Sequence, residues 1–149
     1  MLNQLENMAQ EDKSMNGTEK VVKHLEMTQT VINRLGRNSF LSKSWSMTIL
    51  IAAMVLIAKE NLQNQYFVLS LFLPIAGFWI LDGYFLWQER LFRYVYDDIR
   101  QQTDTDFKMD LGNHKGKLKS SWISAIFSVT LIIFYLIEAL FVGAIAYFF

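Results

Sequence analysis

The chain has 149 residues, enough for one domain and too few for two of ordinary size. Its 14 Lys and Arg balance 14 Asp and Glu, so no global charge steers it to nucleic acid, and with no cysteine it has no disulfide, thiolate metal site or thiol nucleophile. Apolar residues make up 52%, but they gather in three blocks with the charges between them, which excludes both a soluble globule with one core and a disordered chain.

Residues 1–17 are polar and acidic, expected to be weakly ordered, and lack the basic-then-apolar layout of a cleavable secretion signal. The first apolar block is therefore expected to act as its own insertion signal. Residues 18–35 (TEKVVKHLEMTQTVINRL) carry the periodicity of an amphipathic helix. Thr18 suits its cap, Glu19 its first turn and Gly36 its end. Val21, Leu25, Thr28, Ile32 and Leu35 recur at alternating fours and threes, the narrow seam of helix packing. Three uses of that seam remain open: packing on the chain's own later polar segment, self-association, or lying on a membrane surface. A helix restarting at Asn38 or Ser39 would lead into the membrane, making residues 18–43 an amphipathic entry to a membrane domain over 44–149.

The first block, Trp45–Ala58, is about 21 Å long as a helix, short for a crossing, and gains length if Lys43 snorkels so that Phe40 and Leu41 join it. Its span is placed at about 44–60. The second block, Tyr66–Trp87, is long enough to cross, and Pro74 within it predicts a kink near Ser70–Leu71. Beyond Trp87 the helical pattern continues to about Gln101, with Leu91, Val95 and Ile99 on one edge and Glu89–Arg93 as an i,i+4 pair. The rest of the 88–121 segment reads as a loop whose basic end (Lys115, Lys117, Lys119) would be drawn to anionic lipid. The third block starts at Trp122 and is placed as a span over 122–147. The expected fold class is thus all-α: three transmembrane helices, an N-terminal amphipathic helix and a cytoplasmic extension of the second span.

Six basic residues precede the first block, one lies in the first connection, seven in the second, and none follows the third. This alternation predicts a cytoplasmic N-terminus and second connection, with the C-terminus outside the bacterial inner membrane. Trp45, Trp87 and Trp122 all fall at the predicted cytoplasmic ends of their blocks, as interface anchors do.

Asp104, Asp106 and Asp110 lack the glycine and the final glutamate of a calcium loop, and residues 112–117 (GNHKGK) are one residue short of a phosphate loop. No nucleophile–base motif stands out. No catalytic, cofactor or metal site is expected, and the chain is read as not an enzyme; His24 and His114 are expected on exposed surfaces. Asp82 and Glu138 differ, because carboxylates inside an apolar span are costly and face protein or water. Asp82, near the interface, calls for hydration or a nearby Lys or Arg. Glu138 must be protonated, bonded across helices, or lining a wet path. Ser121, Ala125, Ser128, Ala139, Gly143 and Ala146 form a small-residue stripe near Glu138, suited to packing within the chain or to an oligomer contact that brings copies of Glu138 together.

Two stretches carry a resemblance. His24-Leu25-Glu26 through Asn33-Arg34 to Asn38-Ser39-Phe40 and Lys43 is one; FWILDGY (78–84), QERLFR (88–93) and Tyr96-Asp97-Asp98 form the other. Together they resemble a family of small bacterial multi-span membrane proteins, similar in layout to membrane effector or accessory proteins of anti-phage defence loci. The resemblance implies that Asp82, Glu89, Arg90 and Arg93 matter beyond hydrophobicity, and it supplies no catalytic residues. The expected function is a non-enzymatic membrane effector or pore component that homo-oligomerises, under the control of a soluble cytoplasmic partner. The alternative is a membrane-tethered adaptor that recruits such a partner through Leu91, Val95, Ile99 and the 21–35 seam.

Overall fold

A computed structural model describes residues 16–59, 65–112 and 121–148. They form five helices, with no strand among the described residues: α1 (Gly17–Lys59), α2 (Gln65–Ser70), α3 (Phe72–Ile99), α4 (Trp122–Ile126) and α5 (Val129–Phe148). Three helical stretches, in α1, α2–α3 and α5, are long and apolar enough to cross a membrane, so the chain is an all-α, multi-pass membrane protein.

α1 is one unbroken helix of 43 residues, about 64 Å long. It opens with a reciprocal capping box: Glu19 N–H donates to Asn16 Oδ1 (2.9 Å) and Asn16 N–H to Glu19 Oε2 (3.1 Å). The cap is therefore Asn16, not Thr18. Gly36 does not end the helix either. A glycine that ends a helix commonly takes the left-handed conformation, and no glycine has positive φ among the described residues. Ile32 before it is buried and Leu35 and Ser39 around it are half-buried, so the same face stays in use across the glycine.

The second crossing is interrupted at Leu71, within the Ser70–Leu71 stretch where Pro74 predicts a kink. Leu71 N–H bonds to Val68 O (3.1 Å) and Ser70 Oγ to Phe67 O (2.7 Å), closing α2 locally. Pro74 then falls in the first turn of α3, where a missing N–H leaves no intrahelical bond unmade. The third crossing departs from expectation. Trp122–Ile126 is a separate short helix, and the long helix begins at Val129. The Trp79 indole N–H donates to Ile126 O (2.9 Å), a carbonyl that a continuous helix would offer to residue 130. α4 also lies tightly on α3: a Cβ added at Gly83 would sit 2.5 Å from Ile126 Cγ1 and 3.2 Å from Ile126 Cα.

Burial divides the molecule lengthwise. One apolar core, including Leu50, Ile57, Val68, Ile75, Leu131 and Val142, joins the crossing segments. A smaller one (Val21, Val95 and Ile99, with Leu25 and Leu111 against it) joins the start of α1 to the end of α3. Outside the first core, Ile51, Val55, Ile80, Ile133, Ile137 and Leu140 are exposed. Such a contiguous apolar exterior suits lipid rather than water.

Candidate functional site: a polar seam between the two cores

Between the cores, α1 turns a stripe of polar residues inward. Ser39, Ser42, Lys43 and Ser46 recur at threes and fours on the face that carries Ile32 before them and Leu50 after them. α3 brings Asp82 to this stripe, and α5 brings Tyr135 and Glu138.

Asp82 is fully buried and accepts from three side chains. Lys43 Nζ donates to its Oδ2 at 2.5 Å, Ser39 Oγ donates to its Oδ1, and Tyr135 Oη lies 3.3 Å from Oδ2. Lys43 also donates to Ser39 Oγ (3.1 Å), and the Tyr135 hydroxyl reaches Phe78 O (3.2 Å). A buried carboxylate survives only with such paired charge and added hydrogen bonds. Of the two partners open to Asp82 from sequence, the lysine is the one found.

Glu138 lies one turn beyond Tyr135 and is only 4% exposed. Ser46 Oγ, itself buried, donates to its Oε2 at 2.7 Å, so Glu138 is bonded across helices. Its Oε1 is buried with no hydrogen-bond partner among the described residues. Glu138 thus faces inward. On α5, Leu131, Tyr135, Glu138, Val142 and Ala146 form the buried face, while Ala139 and Gly143 lie at its margin. A Cβ added at Gly143 would meet nothing within 4 Å. The stripe is divided accordingly. Ala125 and Ala146 are buried within the chain, Ser121 and Ser128 are half-buried, and Ala139 and Gly143 lie at the margin beside the buried Glu138. Beside this margin, an apolar groove of about 270 Å³ runs between α3 and α5, lined by Ile75, Ala76, Trp79, Leu136 and Ala139 among others.

The residues proposed to meet a partner lie mostly inside. Leu91, Val95 and Ile99 are buried, as are Val21 and Ile32, and Leu25 and Leu35 are half-buried. Of the three uses open to the 21–35 seam, the observed one is packing on the chain's own α3. At the junction, Arg93 Nη2 pairs with Glu89 Oε1 (2.6 Å), and Arg90 Nη1 donates to Ser124 O (3.2 Å), tying α3 to α4.

His24, expected on an exposed surface, is buried at 1% exposure. The segment after α3 folds back over it: Nδ1 lies 2.8 Å from Thr105 Oγ1, and the ring sits against Phe107 with centroids 5.6 Å apart. Phe107 takes φ 58°, a left-handed conformation uncommon outside glycine. His24 Nε2 has no hydrogen-bond partner among the described residues. Burial pushes the ring pKa below its ordinary value, partly offset by the nearby Asp106 carboxylate. Asp106 itself is exposed, and Lys108 Nζ at 2.5 Å from Oδ2 holds it below the usual carboxylate range. His114, Lys115, Lys117 and Lys119 lie outside the described residues. Among the described residues, no three His, Asp or Glu converge as a metal site would require.

No family model, no curated protein and no solved structure matches the chain.

Proposed function

We propose that this chain is a non-enzymatic effector of the bacterial inner membrane that assembles from several copies and makes the membrane leaky, under the control of a cytoplasmic partner. The observation that carries this reading is the polar seam, in which Lys43, Asp82 and Glu138 lie inside segments whose outer faces are apolar. Ionisable groups inside a membrane are costly, and where they occur they mark functional sites. Three crossings enclose no conduit alone, so several copies are needed, and the open margin at Ala139 and Gly143 offers a close-approach surface. The unbroken α1 joins the layer around His24 to the seam at Lys43 and Ser46, so a partner bound at that layer acts on the seam through one rigid element. A role in anti-phage defence rests on the resemblance in layout alone.

Membrane potential on induced expression tests the reading. Depolarisation by the native chain, lost with Glu138→Gln at equal membrane abundance, is expected. A polarised membrane with the native chain, or equal depolarisation by the variant, would overturn it. The adaptor alternative loses its named docking residues to burial, since recruitment through Leu91, Val95 and Ile99 would require parting α1 from α3.

A further inference from the structure

The two buried carboxylates of the seam are provided for differently. Asp82 has a cation and two hydroxyls. Glu138 has one hydroxyl, and its other oxygen is buried and unpartnered. An ionised carboxylate so placed loses hydration with no compensating charge; a proton on Oε1 removes that cost and leaves the Ser46 bond to Oε2 intact. The charged and titratable groups around it are Lys43 on α1, Asp82 on α3 and Tyr135 on α5 itself; Tyr66, the one ionisable side chain of α2, is exposed. Lys43 and Asp82 neutralise each other, so neither supplies Glu138 with a counter-charge.

The surroundings of Glu138 are also asymmetric. Toward the start of α1, polar side chains follow at every turn: Ser46, Lys43 with Ser42, then Ser39, and across from them Tyr135 and Asp82. This line reaches the surface at Lys43, whose side chain is 22% exposed. In the other direction the next turns bring Leu50, Val142 and Ala146, then Ile57, all buried and apolar. Hydroxyls recur turn by turn on the first side, and among the described residues the buried side chains on the second are apolar.

We propose that Glu138 is a one-sided proton-binding site, loaded from the Lys43 end of the seam and sealed from the opposite end by the apolar core. Loading moves one proton from water at the Lys43 end to Glu138 Oε1; the carboxylate becomes a neutral acid, and unloading is the reverse. Tyr135 and Ser46 are positioning residues that hold the line of hydroxyls. The proposal rests on the seam being functional, and it names the species that the seam handles.

The test uses the full chain in liposomes and dicyclohexylcarbodiimide, an apolar reagent that modifies protonated carboxyls in hydrophobic surroundings. One adduct per chain at Glu138, with Asp82 unmodified, is expected by mass spectrometry. Labelling should slow about tenfold for each pH unit above the midpoint, following the protonated fraction. It should respond to pH only on the side that Lys43 faces, in vesicles sorted by orientation. Tyr135→Phe, which spares both carboxylates, should slow the response to a pH jump while leaving the final extent of labelling unchanged. Absence of a Glu138 adduct in a chain of native helix content overturns the proposal, as does equal labelling of Asp82 or an equal response to pH from both sides. Dye leakage from the same vesicles keeps the two readings apart. Labelling without leakage overturns the effector reading alone, and leakage without labelling overturns the proton site alone.

Discussion

Asp82 and Glu138 are both acids inside apolar helices, and their neighbours set them apart. Asp82 belongs to an ion pair with Lys43, and removing one partner leaves the other charge buried or half-buried without compensation. Lys43→Met or Asp82→Asn alone should each cost about 3–5 kcal/mol, whereas Lys43→Met with Asp82→Leu should cost much less than the sum. Unfolding of the four chains in mixed micelles measures this; additive losses would show that the pair does not act as a unit. His24 is a second titratable group taken out of water, and here the coupling to pH has a definite sign. Burial lowers the folded ring's pKa from 6.5, so the unfolded layer binds more protons than the folded one below that value. The hold of residues 103–111 on α1 is therefore complete above pH 6.5 and declines as pH falls through the folded pKa. Amide exchange over residues 17–28 and 103–111, corrected for intrinsic rates, should show weaker protection at about pH 5.5 than at about pH 7.5. His24→Gln should flatten that dependence, and protection unchanged between the two pH values would refute it.

At the scale of the helices, two glycines make opposite demands. Gly36 lies mid-helix in α1, and a Cβ there would have Glu89 Oε2 as its nearest contact at 3.6 Å. Gly36→Ala should raise stability by up to about 1 kcal/mol, the ordinary gain from replacing glycine inside a helix. Gly83 holds α4 against α3, and Gly83→Ala would force Ile126 backbone and side chain away, a loss of about 1–3 kcal/mol. Denaturation midpoints of the two variants should shift in opposite directions; a shared sign would contradict the packing described. These same helices show what periodicity can reveal. Apolar runs located the three crossings, and the spacing of Val21, Thr28 and Ile32 located the buried face of α1, because both depend only on neighbours along one helix. Features that depend on another element were not legible. Gly36 reads as a stop by composition, yet α1 stays continuous there, with its face packed on α3 on both sides of the glycine. The break before Val129 arises when the Trp79 indole, 47 residues away in sequence, takes the Ile126 carbonyl. His24 sits beside Val21 and Thr28 on the helix, yet its burial waits on the 103–111 segment, which helical spacing cannot place. Of the seam, the two acids and the basic partner of Asp82 could be anticipated from the cost of charge in an apolar span. Ser39, Ser46 and Tyr135 could not, since their types are ordinary on any helix.

The whole molecule is polarised along its length: a polar layer around His24, the seam with Lys43 at its open end, then an apolar half. That polarity meets the distribution of basic residues, of which six precede the first crossing, one follows it, seven lie in the second connection and none follows the third. With these counts, the polar layer is expected on the cytoplasmic side, and Lys59 on the other. The absence of cysteine makes this easy to measure, because a single introduced thiol has no competitor. Thr30→Cys and Gln102→Cys lie on exposed positions of the polar layer, and Lys59→Cys at the far end of α1. In intact cells, a membrane-impermeant maleimide should modify Lys59→Cys alone, and all three after permeabilisation. Labelling of Thr30→Cys or Gln102→Cys in intact cells would reverse the orientation. The outcome reaches beyond topology. With the polar layer inside the cell, Lys43 faces the cytoplasm, and the proton held at Glu138 would report cytoplasmic pH; in the reverse orientation the same geometry would report the outside. Orientation therefore decides which compartment the seam reads.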